Sequence, residues 1–181
     1  MKKNSSTNSR KHIKKITQLS LFLAIGIILN IVESLIPLPF MVPGVKLGLA
    51  NTIGLVLLYY YSPKEYAYIG FLRVLVVGLL RTGIFSISFF LSLSGWFLST
   101  LIAIILYYFK RFSIFGLSCA SAVFHGIGQI IVVTLIYDSP GLVLYLPILM
   151  LSGVISGCLT AFITSLILLK LDRHISFIAK S

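Results

Sequence analysis

Long apolar stretches separated by short polar breaks dominate the pattern of this chain. A helix that crosses a bilayer needs about 20 predominantly apolar residues, a length that these stretches approach or exceed. The pattern therefore predicts an all-α membrane protein built as a bundle of six transmembrane helices. The predicted spans are 16–36, 45–61, 65–84, 86–108, 112–137 and 142–170.

The breaks between the spans contain residues that stop helices. Proline lacks an amide N–H and clashes with the preceding turn, while glycine readily adopts turn conformations. The last span is long and carries Pro147 near its start, where we expect a kink or a short separate piece. The breaks are 37–44, 62–64, 82–83, 110–111 and 138–141.

The composition indicates that lipid is the natural solvent of this chain. Hydrophobic residues make up 58% and charged residues only 10%, and the mean hydropathy is +1.05. Soluble domains carry about 25% charged residues. The net charge of +11 would suit a nucleic-acid binder in a soluble domain, but these cations flank apolar runs. They therefore indicate contact with anionic lipid head groups.

The 15 Lys and Arg residues predict the orientation of the chain. If the N-terminus is cytoplasmic, most of them lie on the inner side, Lys46 and Arg81 lie outside, and Arg73 lies within a span. This imbalance follows the positive-inside rule and requires an even number of spans. Both termini are therefore predicted to be cytoplasmic in a multi-pass protein of the cell membrane. The inner cations are Lys2, Lys3, Arg10, Lys11, Lys14, Lys15, Lys64, Lys110, Arg111, Lys170, Arg173 and Lys180.

Three parts of the chain differ in composition. Residues 1–15 are polar, basic and rich in Ser and Asn, so we predict a disordered cytoplasmic tail. Residues 16–171 form the six-helix transmembrane domain, and residues 172–181 form a short basic cytoplasmic tail. The first apolar run is longer than a signal-peptide core and lacks a small-x-small cleavage site. We expect it to be retained as the first helix.

The sequence lacks the motifs of several enzyme classes. It contains no GxxxxGK[ST], HExxH or GxSxG pattern, and its four acids do not cluster as magnesium–diphosphate chemistry requires. His125 is the only histidine deep in a span, which argues against a haem or zinc site. We therefore expect a protein that is not an enzyme, with no metal and no cofactor.

Polar residues within the predicted spans are the candidates for a ligand site. Such groups are costly in hydrocarbon and usually face the bundle interior or a wet cavity. Most of them fall in the outer half of the membrane, so we predict an outward-facing substrate pocket roofed by residues 37–44. The candidate substrate-binding residues are Asn30, Glu33, Lys46, Asn51, Arg81, Ser92, His125 and Gln129.

A structural interpretation of these residues stays open. Glu33 would then neutralise Arg81 or Lys46, and the His125 and Gln129 pair would supply an interhelical hydrogen bond. For Arg73 we favour a structural role, with a backbone carbonyl or an acid as its partner.

Small residues recur at four-residue spacing, as in Ser118/Ala122/Gly126 and Gly153/Gly157. Helices in lipid pack closely through such residues. We expect most of these pairs to pack within the bundle, although one of them could dock a partner helix.

One run of the sequence, PxPFxxPGxKLGLAN at 37–51, carries a specific family resemblance. Together with Arg81-Thr82-Gly83 and the segment around His125, it resembles the Gx transporter family, which is often labelled heptaprenyl diphosphate synthase component I. The resemblance covers about residues 16–170. Position 126 is Gly where the family pattern has Asn.

That family is similar to the substrate-binding S-components of energy-coupling factor (ECF) transporters. The resemblance implies a six-helix bundle that captures a small molecule from outside and associates with a transmembrane coupling protein and two ATPases. It also implies that residues 37–44 act as a lid and that Ser20 and Ala24 dock on the coupling protein.

Two functions follow as alternatives. The first is a membrane substrate-capture protein for a small molecule, with a hinted link to isoprenoid, quinone or flavin metabolism. Lys46, Arg81, His125 and Gln129 would suit a carboxylate or phosphate, and aromatic residues such as Phe40, Phe89, Phe90 and Trp96 could cover a ring. The second is a non-catalytic membrane scaffold or subunit that partners a polyprenyl diphosphate synthase or a quinone-pathway enzyme. An electron-transfer subunit is disfavoured, because no ligand set for a metal or haem is visible.

Overall fold

The computed structural model describes residues 3–35 and 47–178, and this part of the chain contains helices and no strand. Segment 36–46, with Lys46 and the predicted lid 37–44, lies outside the described residues. A π-helical turn, Gly78–Thr82, continues α3, and a 3-10 helix, Pro140–Tyr145, precedes α6. The α-helices are α1 Lys3–Leu35, α2 Leu49–Tyr60, α3 Pro63–Val77, α4 Ile87–Phe109, α5 Ile114–Tyr137 and α6 Leu146–Ile178.

Four of these helical segments are long and apolar enough to cross a membrane. Helix α2 is apolar but has only 12 residues, and α3 has 15 residues with charged side chains along its length. The predicted all-helical, multi-pass membrane protein is therefore confirmed in outline. The four segments are His12–Leu35, Ile87–Phe109, Ile114–Tyr137 and Pro140–Leu171.

Serine side chains cap the N-termini of three helices, at or just after the predicted breaks 62–64, 82–83 and 110–111. Ser62 caps α3, Ser86 caps α4 and Ser113 caps α5, each accepting a hydrogen bond from a backbone N–H of the first turn. A serine cap satisfies one of the N–H groups that a helix start leaves without a partner. At their other ends, α4 and α5 stop at residues in the left-handed region, Lys110 and Asp138.

The centre of the bundle is helix α2. It packs against α1, α3 and α6, and Val56, Leu57 and Leu58 in its middle are fully buried. A helix that is apolar on all sides is expected to be surrounded by protein or lipid. Here the surrounding helices cover it.

Helices α5 and α6 pack through the small residues that the sequence singled out. The Ser118 hydroxyl donates to the Gly157 carbonyl across the interface at 2.8 Å. A Cβ atom built on Gly157 would lie only 2.6 Å from Cys119 Cα, and one on Gly153 would lie 3.2 Å from the backbone of Ala122. The interpretation of these small residues as packing contacts within the bundle is confirmed at this interface.

The ends of the chain differ from the prediction. Helix α1 begins at Lys3, so residues 3–15 are helical where the sequence predicts a disordered tail. Lysine and arginine are good helix formers, and no proline or glycine in this stretch stops a helix that the apolar span has already nucleated. An ion pair between Lys15 and Glu65 joins this extension to the start of α3. Helix α6 likewise continues past residue 171.

Replacing Gly157 with alanine tests the close approach of α5 and α6. The new methyl group would overlap the backbone of Cys119, so we expect a loss of about 1–3 kcal/mol of stability. The matched control is Gly116→Ala, whose methyl group would lie no closer than 3.6 Å to a neighbour. In a neutral detergent, the Tm of thermal unfolding should fall below that of the wild type for Gly157→Ala and not for Gly116→Ala. Equal Tm values for the two variants would contradict this packing.

Candidate functional site

A cavity of about 810 Å³ lies within the bundle. Ligand sites for small molecules typically enclose about 300–1,000 Å³, so this volume is large enough for a vitamin-sized or drug-sized molecule. Each of the six helices supplies at least one lining residue. Because all six helices contribute, the cavity forms only when the helices have packed together.

Seven of the eight candidate residues from the sequence line this one cavity, and Lys46 lies outside the described residues. They come from five helical segments that are far apart in the sequence. The structure therefore brings together side chains that the sequence could group only by their polarity. The seven are Asn30, Glu33, Asn51, Arg81, Ser92, His125 and Gln129.

Glu33 holds the start of helix α2. Its side chain is only 6% exposed, and its carboxylate accepts the Gly48 N–H at 2.5 Å. Gly48 caps α2 with φ of 83°, a conformation that favours glycine. A carboxylate is favourable there because the N-terminus of a helix carries partial positive charge.

The ion pair between Glu33 and Arg81 that the structural interpretation suggested does not form. Within the described residues the single ion pair joins Lys15 to Glu65. The alternative partner of Glu33, Lys46, lies outside the described residues. The main contact of the Glu33 carboxylate is therefore with the backbone of the α2 start.

Arg73 also holds the start of α2. Its guanidinium donates to the Ala50 carbonyl and, at 3.0 Å, to Asn51 Oδ1. The expectation that a backbone carbonyl would serve as its partner is confirmed. The sequence did not predict that Arg73 also lines the cavity, because its depth in the span says nothing about the face it occupies.

Arg81 reaches the cavity from the π-helical turn Gly78–Thr82. Turns of this kind are frequent at functional sites, since the wider backbone re-aims the side chains that follow. The turn packs closely on α4: a Cβ atom on Gly78 would lie 2.5 Å from the Phe89 ring. Arg81 itself is exposed.

Close contacts at two glycines bring α4 against α5, and both helices line the cavity. The His125 ring packs on Gly95, where a Cβ atom would lie 2.7 Å from the ring, and Gly128 packs on the Ser94 carbonyl. This close crossing fixes the α5 face that lines the cavity. Gln129, one turn beyond His125, is only 5% exposed and also lines the cavity.

With this geometry in place, comparison with known proteins assigns the family. The family model described as heptaprenyl diphosphate synthase component I matches residues 22–167. The chain belongs to this family. No curated protein and no solved structure matches it.

Membership of the component I family confirms the resemblance drawn from residues 37–51. Component I is a non-catalytic subunit family, which is consistent with the expectation that the chain is not itself an enzyme. The match spans all six helices. It therefore includes every described residue of the cavity.

The aromatic residues divide into two groups in this component I chain. Phe89 and Trp96 line the cavity, which is where they would have to lie to pack on the ring of a ligand. Phe90 is 38% exposed and does not line it, and Phe40 lies outside the described residues.

Sequence reasoning missed the contribution of α6. Ser152, Gly153 and Ser156 line the cavity from one face of this helix. The spacing of the two serines was the available signal, because residues four apart share a helix face. Each serine hydroxyl also donates to a backbone carbonyl of its own helix, a pattern that serines in membrane helices commonly adopt.

No metal centre accompanies the cavity in the part of the chain that the structure describes, where no three His, Cys, Asp or Glu side chains converge. The lining instead offers hydroxyl, amide, imidazole and guanidinium groups. These groups bind organic molecules by hydrogen bonds and charge.

Substitution of Glu33 tests the anchoring of α2. Glu33→Ala would leave the buried Gly48 N–H without its acceptor, at a cost of about 1–3 kcal/mol. Glu33→Gln keeps a side-chain oxygen that can accept the same hydrogen bond, so it should lose less stability. Thermal unfolding of both variants in neutral detergent checks this order. A Glu33→Ala protein as stable as the wild type would show that this contact does not anchor the helix.

Proposed function

We propose that the protein is an integral membrane substrate-capture protein, similar to the S-components of ECF transporters, that binds a small molecule within the bundle. The observation that carries the proposal is the cavity of about 810 Å³, whose polar lining comes from six helices. Buried polar groups in a membrane protein are costly unless they serve a function or are fully paired. A ligand that completes their hydrogen bonds accounts for their convergence.

The proposal includes six membrane crossings with both termini in the cytoplasm. The distribution of cations supports this orientation, because the ends of the chain and the α4–α5 connection are basic. Helices α2 and α3, which are shorter than the four long apolar segments, would supply the other two crossings. The cation count differs strongly between the two sides only for an even number of crossings.

In this orientation the cavity faces outward. Asn30 and Glu33 lie near the end of α1, Arg81 lies just beyond α3, and Asn51 and Ser92 lie in the early turns of α2 and α4. If the helices alternate in direction, all of these positions fall at the same end of the bundle. That end is opposite the cytoplasmic N-terminus.

Transport then requires a partner, because the sequence carries no nucleotide-binding motif. An ECF-type coupling protein with its ATPases is the partner that we propose. Ser20 and Ala24, the proposed docking residues, are exposed on α1 and lie one helical turn apart. Their exposure is compatible with docking of a partner helix.

The proposal predicts that a small molecule copurifies with the protein and depends on the cavity. Arg81→Ala and Gln129→Ala should each lower its occupancy about tenfold or more, the loss expected when hydrogen bonds worth about 1.5 kcal/mol or more are removed. Mass spectrometry of extracts from detergent-purified protein measures the occupancy. Lys64→Ala, at the opposite end of α3, is the control and should retain it.

The identified molecule then tests the orientation. It should bind to sealed right-side-out vesicles and not to inverted ones. Absence of any copurifying molecule, or equal occupancy in the cavity variants and the control, would refute substrate capture.

The family description favours a second candidate, a non-catalytic membrane subunit that recruits a polyprenyl diphosphate synthase or a quinone-pathway enzyme. The recruiting surface would be the basic cytoplasmic side, where Lys110 and Arg111 are exposed at the end of α4. The same description motivates a link of either candidate to isoprenoid, quinone or flavin metabolism.

Copurification from native membranes tests this second candidate. A synthase should copurify with the wild type and be lost when residues 1–15 are deleted or when Lys110 and Arg111 are both replaced with alanine. A synthase retained by both variants, or absent from the wild type, would rule out recruitment through this surface.

A further inference from the structure

The charges that line the cavity are unbalanced. Among the described residues, the lining contains two arginines, Arg73 and Arg81, and one acid, Glu33. Two of the chain's other acids, Glu65 and Asp138, do not line the cavity. The fixed charge of the described lining is therefore positive, even with a neutral imidazole at His125.

The contacts among the described residues do not fully neutralise this positive charge. The Glu33 carboxylate accepts the Gly48 N–H, and Arg73 donates to uncharged oxygens of Ala50 and Asn51. Glu33 and Arg73 do interact electrostatically, so the acid offsets part of one cation. No carboxylate in the described part of the chain forms an ion pair with either arginine.

Arg73 has the capacity to bind a further group. A guanidinium carries five N–H donors in a planar fork, and two of its nitrogens account for the two contacts to α2. The remaining donors suit the oxygens of a carboxylate or phosphate, which arginine binds with strong, charge-assisted hydrogen bonds.

The position of Arg73 also favours it over Arg81 as the anion site. The two residues are eight positions apart, which corresponds to about 12 Å along a helix. Arg73 is half-buried, whereas Arg81 is exposed. Water and salt screen an exposed charge much more than a buried one, so the stronger attraction for an anion is at Arg73.

The charged side chains and most of the large apolar side chains of the lining come from different helices. The three charged residues lie on α1 and on α3 with its π-helical turn, whereas α4, α5, α6 and the 3-10 helix supply large apolar side chains. The charged groups of the described lining are therefore confined to α1 and α3, whereas most of the large apolar side chains come from the other helices, beside neutral polar groups such as Ser92 and Gln129. The apolar side chains are Phe89, Leu91, Ile130, Val133, Leu142 and Leu149.

We propose that the cavity selects amphipathic oxyanions, with a carboxylate or phosphate on Arg73 and an apolar ring system against the α4–α6 side. This inference rests on the proposed substrate capture and names its substrate class. The anion offsets the excess positive charge of the lining, and the apolar body packs on the large apolar side chains that α4, α5, α6 and the 3-10 helix supply.

Trp96 provides the measurement, because it is the single tryptophan of the chain and lines the cavity. The probes are 2-naphthoate and 2-naphthyl phosphate, with the neutral 2-naphthamide as the matched comparison. Quenching of tryptophan fluorescence in neutral detergent gives their affinities. We expect at least one oxyanion to bind the wild type roughly tenfold or more tightly than the amide.

Substitutions assign this preference to a residue. Arg73→Gln should reduce the preference to about one, whereas Arg73→Lys keeps the charge and should retain part of it. Lys64→Gln, at the other end of the same helix, should bind like the wild type. Thermal unfolding identifies any variant that fails to fold. The comparison of oxyanion and amide affinities for the wild-type protein does not depend on the variants.

Each outcome is decisive. If the amide binds as tightly as both oxyanions, or if the preference persists in a folded Arg73→Gln protein, the oxyanion proposal is wrong and substrate capture is unaffected. If no probe binds saturably, the proposal is also wrong for ring-bearing oxyanions. Substrate capture itself is tested separately, by whether a small molecule copurifies with the protein.

Discussion

A polar group that is buried among helices must find its partner inside the protein, and the start of α2 shows how the other helices meet this requirement. The first N–H groups of any helix have no partner within it, and α2 begins between other helices. Glu33 of α1 accepts the Gly48 N–H. Arg73 of α3 holds the Ala50 carbonyl, and Thr160 of α6 donates to the Gly48 carbonyl at 3.3 Å. The junction thus ties four helices together and forms one side of the cavity.

The cavity follows from how the helices pack around this junction. Close contacts at Gly95, Gly128 and Gly157 draw α4, α5 and α6 together, so these three helices form one continuous wall of the cavity. The π-helical turn after α3 then directs Arg81 toward the enclosed space. The charged residues of the lining belong to α1 and α3, whereas α4, α5 and α6 supply most of its large apolar side chains.

The sequence predicted the class of fold and most of the cavity for a physical reason. Apolar runs of membrane length report helices directly, and a polar residue within such a run must face protein or water. Seven of the candidate residues that this reasoning selected line one cavity. It did not place Arg73 there, because the depth of a residue in a span does not say which face of the helix it occupies.

Other features carried little or no sequence signal. The π-helical turn Gly78–Thr82 continues an apolar run, so hydropathy does not distinguish it from α-helix. Ser152 and Ser156 gave only their four-residue spacing as a signal, because a serine in a membrane helix can satisfy its hydroxyl on its own helix backbone, as both do here. The helical N-terminal extension continues a helix that the apolar span nucleates, whereas its own composition, rich in Lys, Ser and Asn, is typical of a disordered segment.

The central claim is that this membrane bundle holds a small molecule among helices that are far apart in the sequence. A cryo-EM structure of the wild-type protein in lipid nanodiscs, determined without added ligand, tests it most directly. The account predicts non-protein density enclosed by α1, α3, α4, α5 and α6, with an ordered contact to the Arg73 guanidinium. A bundle whose side chains close this space, or a cavity filled only by continuous lipid acyl chains, would contradict it.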